Sequence, residues 1–387
     1  MNITVLHNFY QLPGGEDQVF KAEADLLRSY GHEVSPFVLS NDSLTKLNPL
    51  RKATSPVWNQ DTYSSLRRHL RETNAEIAHV HNTFPLASPS VYYAASAEGV
   101  PVVQTLHNFR LLCAAANFFR DGHTCEDCLH TAIPWPAVVH ACYRESRLAS
   151  AVAASVLTTH RAIGTWTKKV DRFITLTEFA RQKFISGGLP GEKIFVKPNF
   201  IHPDPGVGTG DGGFALFVGR LSAEKGIETL LSAWSLNRTG TALKIVGDGP
   251  LNGLVREAAE RDKSIHFLGW CAKDAVLSLM KAASFLILPS LCYEGFPMTV
   301  VEAFAVGLPV IASRIGGLGT LIEHNRTGFL FEPGKPDELA ATIATASTCA
   351  SLRQSLGRAA REQFQTKYTQ EANYSILMEI YSSACKN

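Results

Sequence analysis

The chain has 387 residues, more than one hydrophobic core usually organises, so two domains are expected. Hydrophobic residues make up 45% and charged residues 19%, as in ordinary globular proteins, and a net charge of +2 is too small to indicate a nucleic-acid-binding surface. No apolar run reaches the ~18 residues that a membrane-spanning helix needs. The amino terminus begins directly with a predicted strand and shows no signal-peptide pattern, so the expected location is the cytoplasm.

The first half of the chain alternates short apolar runs with amphipathic segments. Strands are predicted at 3–6, 33–39, 77–80, 101–106, 172–176 and 194–196, and the first helix at 16–30. Unalternated Val, Ile and Leu are typical of strands buried on both faces, and the intervening helices indicate a parallel sheet. Residues 1–199 are therefore expected to form a Rossmann-like domain.

A pair of glycines, Gly14 and Gly15, precedes the first predicted helix. Paired glycines at a helix start can bring bare N–H groups up to a phosphate, and Glu16 or Asp17 would cap the helix. The pattern is not Gly-x-Gly-x-x-Gly, which argues against dinucleotide binding.

Histidines follow two neighbouring strands of this predicted domain. His107 lies just past the strand 101–106, where an imidazole could hydrogen-bond a sugar hydroxyl. A single histidine at a strand end is more often structural, and both interpretations stay open. His79, His81 and Asn82 pose the same alternative one strand away.

Four cysteines lie within 30 residues: Cys113, Cys125, Cys128 and Cys142. Four thiolates can complete the tetrahedral shell of a structural zinc ion. The second pair lacks Cys-x2-Cys spacing, so buried thiols are the alternative. The pattern does not resemble an open catalytic metal site.

The composition changes at residues 200–213, where proline and glycine dominate and little apolar surface is available to bury. This predicts an interdomain linker. The strand and helix alternation then resumes and predicts a second Rossmann-like domain over 214–369, followed by a helix at 370–387. Two such domains facing each other would form a cleft, and ligands of open α/β sheets bind at the carboxyl ends of the strands.

The first strand of the second domain is followed by Gly219, Arg220 and Lys225. A glycine lets the backbone approach a ligand, and the two cations can neutralise a diphosphate. A surface loop with two solvated cations is the alternative. The Gly-Asp-Gly-Pro segment at 247–250 follows the next strand. It is interpreted as a turn, in preference to a segment that contacts the ligand directly.

Two glutamates, Glu294 and Glu302, stand with seven residues between them across a predicted helix start. The first-turn N–H groups of that helix carry the positive end of its dipole, which suits a phosphate. Glu294 in the loop and Glu302 in the helix would address opposite ends of one elongated ligand. That shape is typical of a nucleotide-sugar site.

These features resemble the family 4 glycosyltransferases of the GT-B fold, also called glycosyl transferases group 1. The resemblance rests on the segment 294–303, Gly219-Arg220 with Lys225-Gly226, the Gly14-Gly15 loop and Thr105-Leu-His107. It implies an α/β protein with two Rossmann-like doubly wound domains facing across a cleft, of which the first, residues 1–199, is on the acceptor side. It also implies that the helix at 370–387 packs back on the first domain.

The resemblance implies roles for the second-domain residues. Arg220 and Lys225 would hold the donor diphosphate, assisted by the backbone amides of Thr299 and Val300. Glu302 would bind the ribose hydroxyls.

It also implies how the donor sugar is held. Glu294 would bind the sugar with the backbone of Gly295 and Phe296, and His107 would contact it from the first domain. The remaining donor-site residues implied are Gly14, Gly15 and Gly219.

The implied activity is that of a retaining hexosyltransferase that needs no metal or other cofactor. A hexose-type sugar would pass from a nucleotide-diphosphate donor to a hydroxyl of a carbohydrate or lipid-linked acceptor, in cell-surface polysaccharide or glycolipid synthesis. No nucleic-acid partner is implied. Peripheral contact with the inner face of the membrane is a further expectation, although solvated helix faces are the favoured interpretation of the basic segments 66–71 and 167–172.

Two alternatives stay open. A sugar-nucleotide 2-epimerase of similar fold would act on the donor without any acceptor. A non-catalytic scaffold would bind the nucleotide sugar and leave it unchanged.

Overall fold

The computed structural model describes residues 1–11, 14–46 and 48–386. The chain divides into two units, which we call unit 1 (Met1–Phe118, Glu126–Asn199 and Asn373–Asn387) and unit 2 (Phe119–Cys125 and Phe200–Ala372). Leu12 and Pro13, which precede the glycine pair, lie outside the described residues.

Unit 1 contains a six-stranded sheet. Its strands are β1 (Asn2–Phe9), β2 (Glu33–Ser40), β3 (Ile77–Val80), β4 (Val102–Leu106), β5 (Arg172–Thr175) and β6 (Ile194–Val196). Their order is β2-β1-β3-β4-β5-β6, and every neighbouring pair is parallel, as the buried apolar runs predict.

Helices connect these strands. They are α1 (Gly15–Ser29), α2 (Pro49–Thr54), α3 (Gln60–Glu72), α4 (Ser90–Ala97), α5 (Trp135–Val139), α6 (Arg147–Ala162), α7 (Thr165–Lys169) and α8 (Glu178–Ser186). Side chains cap several of these helices. Ser146 accepts from the Ala149 amide at 3.3 Å and Thr177 from the Ala180 amide at 3.1 Å, and each cap satisfies a first-turn N–H.

Unit 2 contains a second six-stranded sheet. Its strands are β7 (Phe214–Val218), β8 (Ala242–Val246), β9 (Ile265–Gly269), β10 (Phe285–Leu288), β11 (Val310–Ser313) and β12 (Gly328–Phe331). The order is β9-β8-β7-β10-β11-β12, again all parallel. The chain reverses direction of winding at β7 and β10, and such a switch point is where open α/β sheets bind ligands.

The helices of unit 2 pack on its sheet, and part of them encloses an apolar core around Ile245, Ile287 and Trp234. They are α9 (Ile227–Leu236), α10 (Asn252–Arg261), α11 (Lys273–Ala282), α12 (Met298–Ala305), α13 (Leu318–Leu321), α14 (Pro336–Thr348) and α15 (Ala350–Lys367). A short hairpin pairs Phe119–Arg120 with His123–Thr124.

The last helix, α16 (Gln370–Cys385), contributes most of its length to unit 1. Its apolar face packs Leu377, Ile380 and Tyr381 against Ile3 and Val103 of the sheet. Burial of these side chains fixes the helix against β1 and β4. Within the described ranges, no helix has both the length and the apolar character needed to cross a bilayer.

The segment 200–213, for which the composition predicts a linker, belongs to unit 2. The amides of Gly208 and Gly212 donate to the carbonyls of Val306 and Ala282, both at 2.8 Å. A Cβ at Gly208 would lie 2.3 Å from the Lys281 carbonyl oxygen. These two glycines therefore serve close packing of backbone against backbone instead of chain flexibility, a use that composition alone does not distinguish.

Candidate functional site

The carboxyl ends of β7 and β10 carry two loops of unit 2 that lie against each other. Gly226 has φ +71°, and a Cβ there would come within 1.8 Å of the Pro289 carbonyl oxygen. The Leu291 amide donates to the Glu224 carbonyl at 2.8 Å and ties the loops together. Only glycine tolerates both the positive φ and this approach, so Gly226 brings Lys225 next to the loop after β10.

Within this contact, Lys225 and Glu294 form an ion pair. The Lys225 Nζ lies 2.6 Å from Glu294 Oε1, and the Ser290 hydroxyl donates to the same oxygen at 2.7 Å. The lysine side chain is 28% exposed and the glutamate side chain 13% exposed. Both are therefore mostly shielded from solvent, although each keeps some accessible surface. The sequence predicts both residues in one site, and the structure brings them together.

The charges of this pair reinforce each other. Burial opposes a charge on Glu294, but the Lys225 ammonium and the Ser290 hydroxyl outweigh it and lower the pKa of Glu294. Burial likewise opposes a charge on Lys225, but the Glu294 carboxylate outweighs it and raises the pKa of Lys225. At neutral pH the site therefore holds a carboxylate that only accepts hydrogen bonds beside an ammonium that only donates them.

The first turn of α12 supplies backbone N–H donors, but one of the two amides predicted to bind the donor phosphates, that of Val300, is already hydrogen-bonded. The Val300 amide already donates to the Pro297 carbonyl at 3.0 Å, and Val300 is fully buried. The Thr299 amide has no hydrogen-bond acceptor among residues 1–11, 14–46 and 48–386, and Thr299 is partly exposed. The Thr299 amide is thus available to donate to an anion, because a first-turn N–H lacks an intrahelical partner.

Phe296 and Gly295 lie between Glu294 and the helix start. Phe296 is buried, with its ring 6.0 Å from that of Tyr368, while Gly295 is partly exposed. Glu302 is partly exposed one turn into α12. Burial raises the pKa of Glu302, and the Lys273 charge offsets this only in part.

The loop after β7 holds Gly219 and Arg220. The Gly219 amide donates to the Val246 carbonyl at 3.1 Å, and the Arg220 side chain is exposed. A Cβ at Gly247 would lie 1.8 Å from the Gly219 carbonyl oxygen, and one at Gly249 would lie 2.4 Å from the Leu221 carbonyl oxygen. The Gly-Asp-Gly-Pro segment is therefore a turn that shapes this loop through close backbone contact.

In unit 1 the predicted residues gather at the carboxyl ends of β1 and β4. Gly14 is the N-cap of α1, and its amide donates to Asp17 Oδ2 at 2.8 Å. A Cβ added at Gly14 or Gly15 would meet no atom within 4 Å, so neighbouring described groups do not require glycine there. Burial and the Asp17 charge raise the pKa of Glu16 to about 7, and Asn108 Nδ2 donates to Glu16 at 3.3 Å.

His107 is partly exposed and bonded to a second histidine. Its Nε2 lies 2.9 Å from His81 Nδ1. By contrast, His79 is fully buried between Tyr381 and Thr105, whose hydroxyls lie 2.7 Å and 2.8 Å from its two ring nitrogens. His79 is therefore structural, whereas His107 presents a ring edge near the end of β4.

A buried ion pair lies behind these histidines, and the sequence analysis missed it. Lys197 Nζ lies 2.6 Å from Glu23 Oε2, and both side chains are at most 1% exposed. The sequence feature that could have identified Glu23 as a buried charge is its position on the apolar face of α1, between Phe20 and Leu27. Lys197 follows β6 directly, with no pattern that points to Glu23.

The three groups Glu23, His79 and His81 place ligand-type atoms within 4.8 Å of one another. The Lys197 ammonium already supplies a positive charge to Glu23, so a divalent cation would add uncompensated buried charge. We assign this cluster to hydrogen bonding. Of the four clustered cysteines, Cys125 falls in unit 2 and the other three in unit 1, so a zinc site and buried thiols both stay open.

A groove of about 420 Å³ lies in unit 1 beside the loop after β3. Phe84, Tyr143 and Leu148 form part of its apolar lining, and Lys52 and Arg144 are its cationic members. A cavity of about 660 Å³ in unit 2 lies at the amino ends of β10 and β11, at the sheet edge opposite Lys225 and Glu294. Cavity size therefore does not locate the predicted site.

Comparison with known proteins places the chain in a family. Residues 13–205 match the family described as Glycosyltransferase Family 4, and residues 206–363 match that described as Glycosyl transferases group 1. An uncharacterized glycosyltransferase of Methanocaldococcus jannaschii is 30% identical over 217 residues, which are 56% of this chain and 60% of that protein.

An amylovoran biosynthesis glycosyltransferase of Erwinia amylovora is 29% identical over 226 residues, 54% of this chain and 56% of that protein. The chain thus spans less than two thirds of either relative. The structure of HepE from Anabaena, in complex with UDP, superposes with a TM-score of 0.70 at 20% identity, covering 99% of this chain and all of that one. That likeness confirms the fold class, and the chain belongs to the family 4 glycosyltransferases of the GT-B fold.

Proposed function

We propose that this protein is a retaining glycosyltransferase that moves a hexose-type sugar from a nucleotide-diphosphate donor to a hydroxyl acceptor. The observation that carries the proposal is the Lys225 and Glu294 pair at the carboxyl edge of the unit 2 sheet, 2.6 Å apart. The exposed Arg220 lies in the same loop as Lys225, and the Thr299 amide lies in the first turn of α12, the helix that follows Glu294. One end of the site is cationic and suits a diphosphate, while its carboxylate suits sugar hydroxyls.

In the proposed transfer the bond between the anomeric carbon and the phosphate oxygen loosens first. Arg220, Lys225 and the Thr299 amide stabilise the charge that develops on the leaving phosphate. The acceptor hydroxyl attacks the same face of the sugar, and the leaving phosphate oxygen takes its proton. Configuration at the anomeric carbon is thereby retained.

Glu294 and Glu302 act in binding in this proposal. Glu294 accepts from hydroxyls of the donor sugar, with the backbone of Gly295 and Phe296 beside it, and Glu302 accepts from the ribose. The lowered pKa of Glu294 suits an acceptor role, because a general acid would need a raised one. The nucleotide is tested first as UDP, since HepE was solved with UDP and with UDP-glucose.

The acceptor site is proposed for unit 1. The groove whose lining includes Lys52 and Arg144 offers two cations in a largely apolar lining, whereas Gly14, Gly15 and His107, at the carboxyl edge of the unit 1 sheet, are proposed to contact the donor. Such a surface suits a lipid-linked acceptor whose phosphate meets the cations. The name of the Erwinia relative supports a role of this protein in polysaccharide synthesis. With a lipid-linked acceptor, the enzyme would act in the cytoplasm at the inner face of the membrane.

The binding half of this proposal can be tested by calorimetric titration of the full chain with UDP-glucose and GDP-mannose. We expect saturable binding of one donor and at least tenfold weaker binding by Lys225→Met. Lys263→Ala, which removes an exposed lysine elsewhere in unit 2, should bind like the wild type. Equal affinity of Lys225→Met and the wild type would reject the site.

A further inference from the structure

The carboxyl end of α12 is bound by residues that are distant in the sequence. Arg361, on α15, donates from Nη1 to the carbonyl of Ala305, the last residue of α12. The same guanidinium forms a two-pronged pair with Asp204, in which Nη1 lies 2.7 Å from Oδ1 and Nη2 lies 2.6 Å from Oδ2. All three residues belong to unit 2.

The Ala305 carbonyl needs a partner from outside its own helix. The last four carbonyls of a helix lack the N–H partner that a further turn would provide. The residue four positions after Ala305 is Pro309, which has no N–H to donate. The carbonyls of 302–304 accept from the amides of 306–308, which follow the helix directly. Arg361 therefore supplies a donor that the local sequence does not.

Asp204 fixes the direction of the Arg361 guanidinium, because a two-pronged pair of guanidinium and carboxylate has one preferred geometry. The arginine side chain is 14% exposed, whereas that of Asp204 is 49% exposed. Hydrogen bonds from Arg361 lower the pKa of Asp204, so the carboxylate is ionised at neutral pH. The Gly206 amide also donates to Asp204 Oδ1, at 2.9 Å, and orients the carboxylate in turn.

Close backbone contacts lie next to this ion pair. The Gly208 amide donates to the Val306 carbonyl at 2.8 Å. A Cβ at Gly357 would lie 2.2 Å from the Gly307 carbonyl oxygen, so α15 approaches the end of α12 as closely as a glycine allows. The carboxyl end of α12 therefore contacts both α15 and the segment 204–208.

The other end of α12 carries groups that are proposed to bind the donor. The Thr299 amide lies in the first turn, and Glu302 lies about one turn further along. Thr299 and Ala305 are about 9 Å apart along the helix axis, at a rise of 1.5 Å per residue. The guanidinium lies at the negative end of the helix dipole, and the proposed diphosphate would lie at its positive end.

We propose that Asp204 and Arg361 are positioning residues that fix α12 from its carboxyl end, and with it the places of the Thr299 amide and Glu302. Binding groups must be held to within about 0.5 Å of their productive positions, so a helix that shifts at one end would bind the donor less tightly. The proposal rests on the proposed function for the identity of the ligand. The contacts that hold the helix are present without any ligand.

The hold on α12 can be measured without a ligand, by amide hydrogen exchange of the full chain. We expect Arg361→Met to raise the exchange rates of peptides that cover α12 about fivefold, and to leave those of the core helix α9 unchanged. Asp204→Asn should cause a smaller rise, because its amide oxygen still accepts one hydrogen bond.

Arg358→Met is the matched control and should exchange like the wild type. Arg358 is an exposed arginine one turn before Arg361 on α15, and both line the same cavity of about 660 Å³. No hydrogen bond or ion pair to another described residue holds Arg358. Unchanged exchange of α12 in Arg361→Met, or an equal rise in α9, would overturn the proposal, because the second result would mean a loss of global stability.

The consequence for the donor site can be measured by calorimetric titration with UDP. We expect Arg361→Met to bind UDP about fivefold more weakly than the wild type, and Arg361→Lys to recover part of this loss because it keeps the charge. Arg358→Met and Ser264→Ala should bind within about twofold of the wild type. Ser264→Ala removes a 3.0 Å hydrogen bond from Trp234 Nε1, so it tests whether lower stability alone weakens binding.

Faster exchange of α12 together with unchanged UDP affinity would contradict the positioning role. A wild type that binds neither UDP nor GDP would count against the proposed function instead. The exchange rates would still decide whether Asp204 and Arg361 hold α12 in place.

Discussion

Replacement of Arg220 by alanine separates binding of the donor diphosphate from stability. The Arg220 side chain is exposed, and no hydrogen bond or ion pair to another described residue holds it. Surface substitutions of this kind change the free energy of unfolding by about 0.5 kcal/mol or less. The variant should therefore unfold at almost the same temperature as the wild type.

The effect on transfer should be much larger. A guanidinium that meets the leaving diphosphate stabilises the charge that develops as the glycosidic bond breaks. We expect Arg220→Ala to lower turnover at least tenfold, about 1.4 kcal/mol of barrier. Arg220→Lys should recover part of this loss, because it keeps the charge and gives up the two-pronged hydrogen bonding.

The assay is the initial rate of nucleotide release with saturating donor and acceptor. Arg261→Ala is the matched control, since Arg261 is an exposed arginine of unit 2 whose pair with Glu257, at 3.1 Å, is worth only about 0.3–0.5 kcal/mol. Unchanged kinetics in folded Arg220→Ala would refute the diphosphate role. A comparable loss in Arg261→Ala would show that the effect is not specific to the site.

Three further predictions concern other parts of the chain. Gly226→Ala should lower the free energy of unfolding by about 2–4 kcal/mol, because its Cβ would meet the Pro289 carbonyl; wild-type stability in urea would contradict this packing. Because the pKa of Glu294 is lower in the folded than in the unfolded protein, its charge stabilises the fold above the unfolded pKa, and this stability is lost as the pH falls through the folded pKa. The free energy of unfolding of Glu294→Gln should therefore fall less steeply than that of the wild type below about pH 4.5, and identical acid titrations of the two proteins would contradict the pairing. Metal analysis of purified protein should find no stoichiometric zinc, because the second cysteine pair lacks Cys-x2-Cys spacing; one zinc ion per chain that is lost in Cys128→Ser and kept in Cys271→Ser would instead indicate a structural zinc site.

Much of the fold follows from local sequence signals. The runs at Phe214–Val218 and Phe285–Leu288 are apolar without alternation, and both become central parallel strands. Pro297 marks the start of α12 because its fixed φ suits a helix entrance. These signals act over a few residues, so one sequence is enough to interpret them.

Other features depend on contacts between distant residues. Lys225 and Glu294 are 69 positions apart, and their pairing requires two loops to approach at Gly226. Glu23 and Lys197 are 174 positions apart, and nothing local links them. The position of Val300 in the first turn predicts a backbone amide that is free to bind a ligand, but in the structure this amide donates a hydrogen bond to the Pro297 carbonyl. The spacing of residues along the sequence identifies candidate site residues, but it does not show which distant residue each of them contacts.

The central claim is tested most directly by incubating the purified full chain with a labelled nucleotide sugar and a lipid-linked acceptor fraction. Product and released nucleotide are quantified together, and the anomeric configuration of the product is measured. The account predicts one nucleoside diphosphate released per sugar transferred, with the donor configuration retained and no free sugar product in the absence of acceptor. Release of an epimerised free sugar from the donor alone, or an inverted linkage, would contradict it.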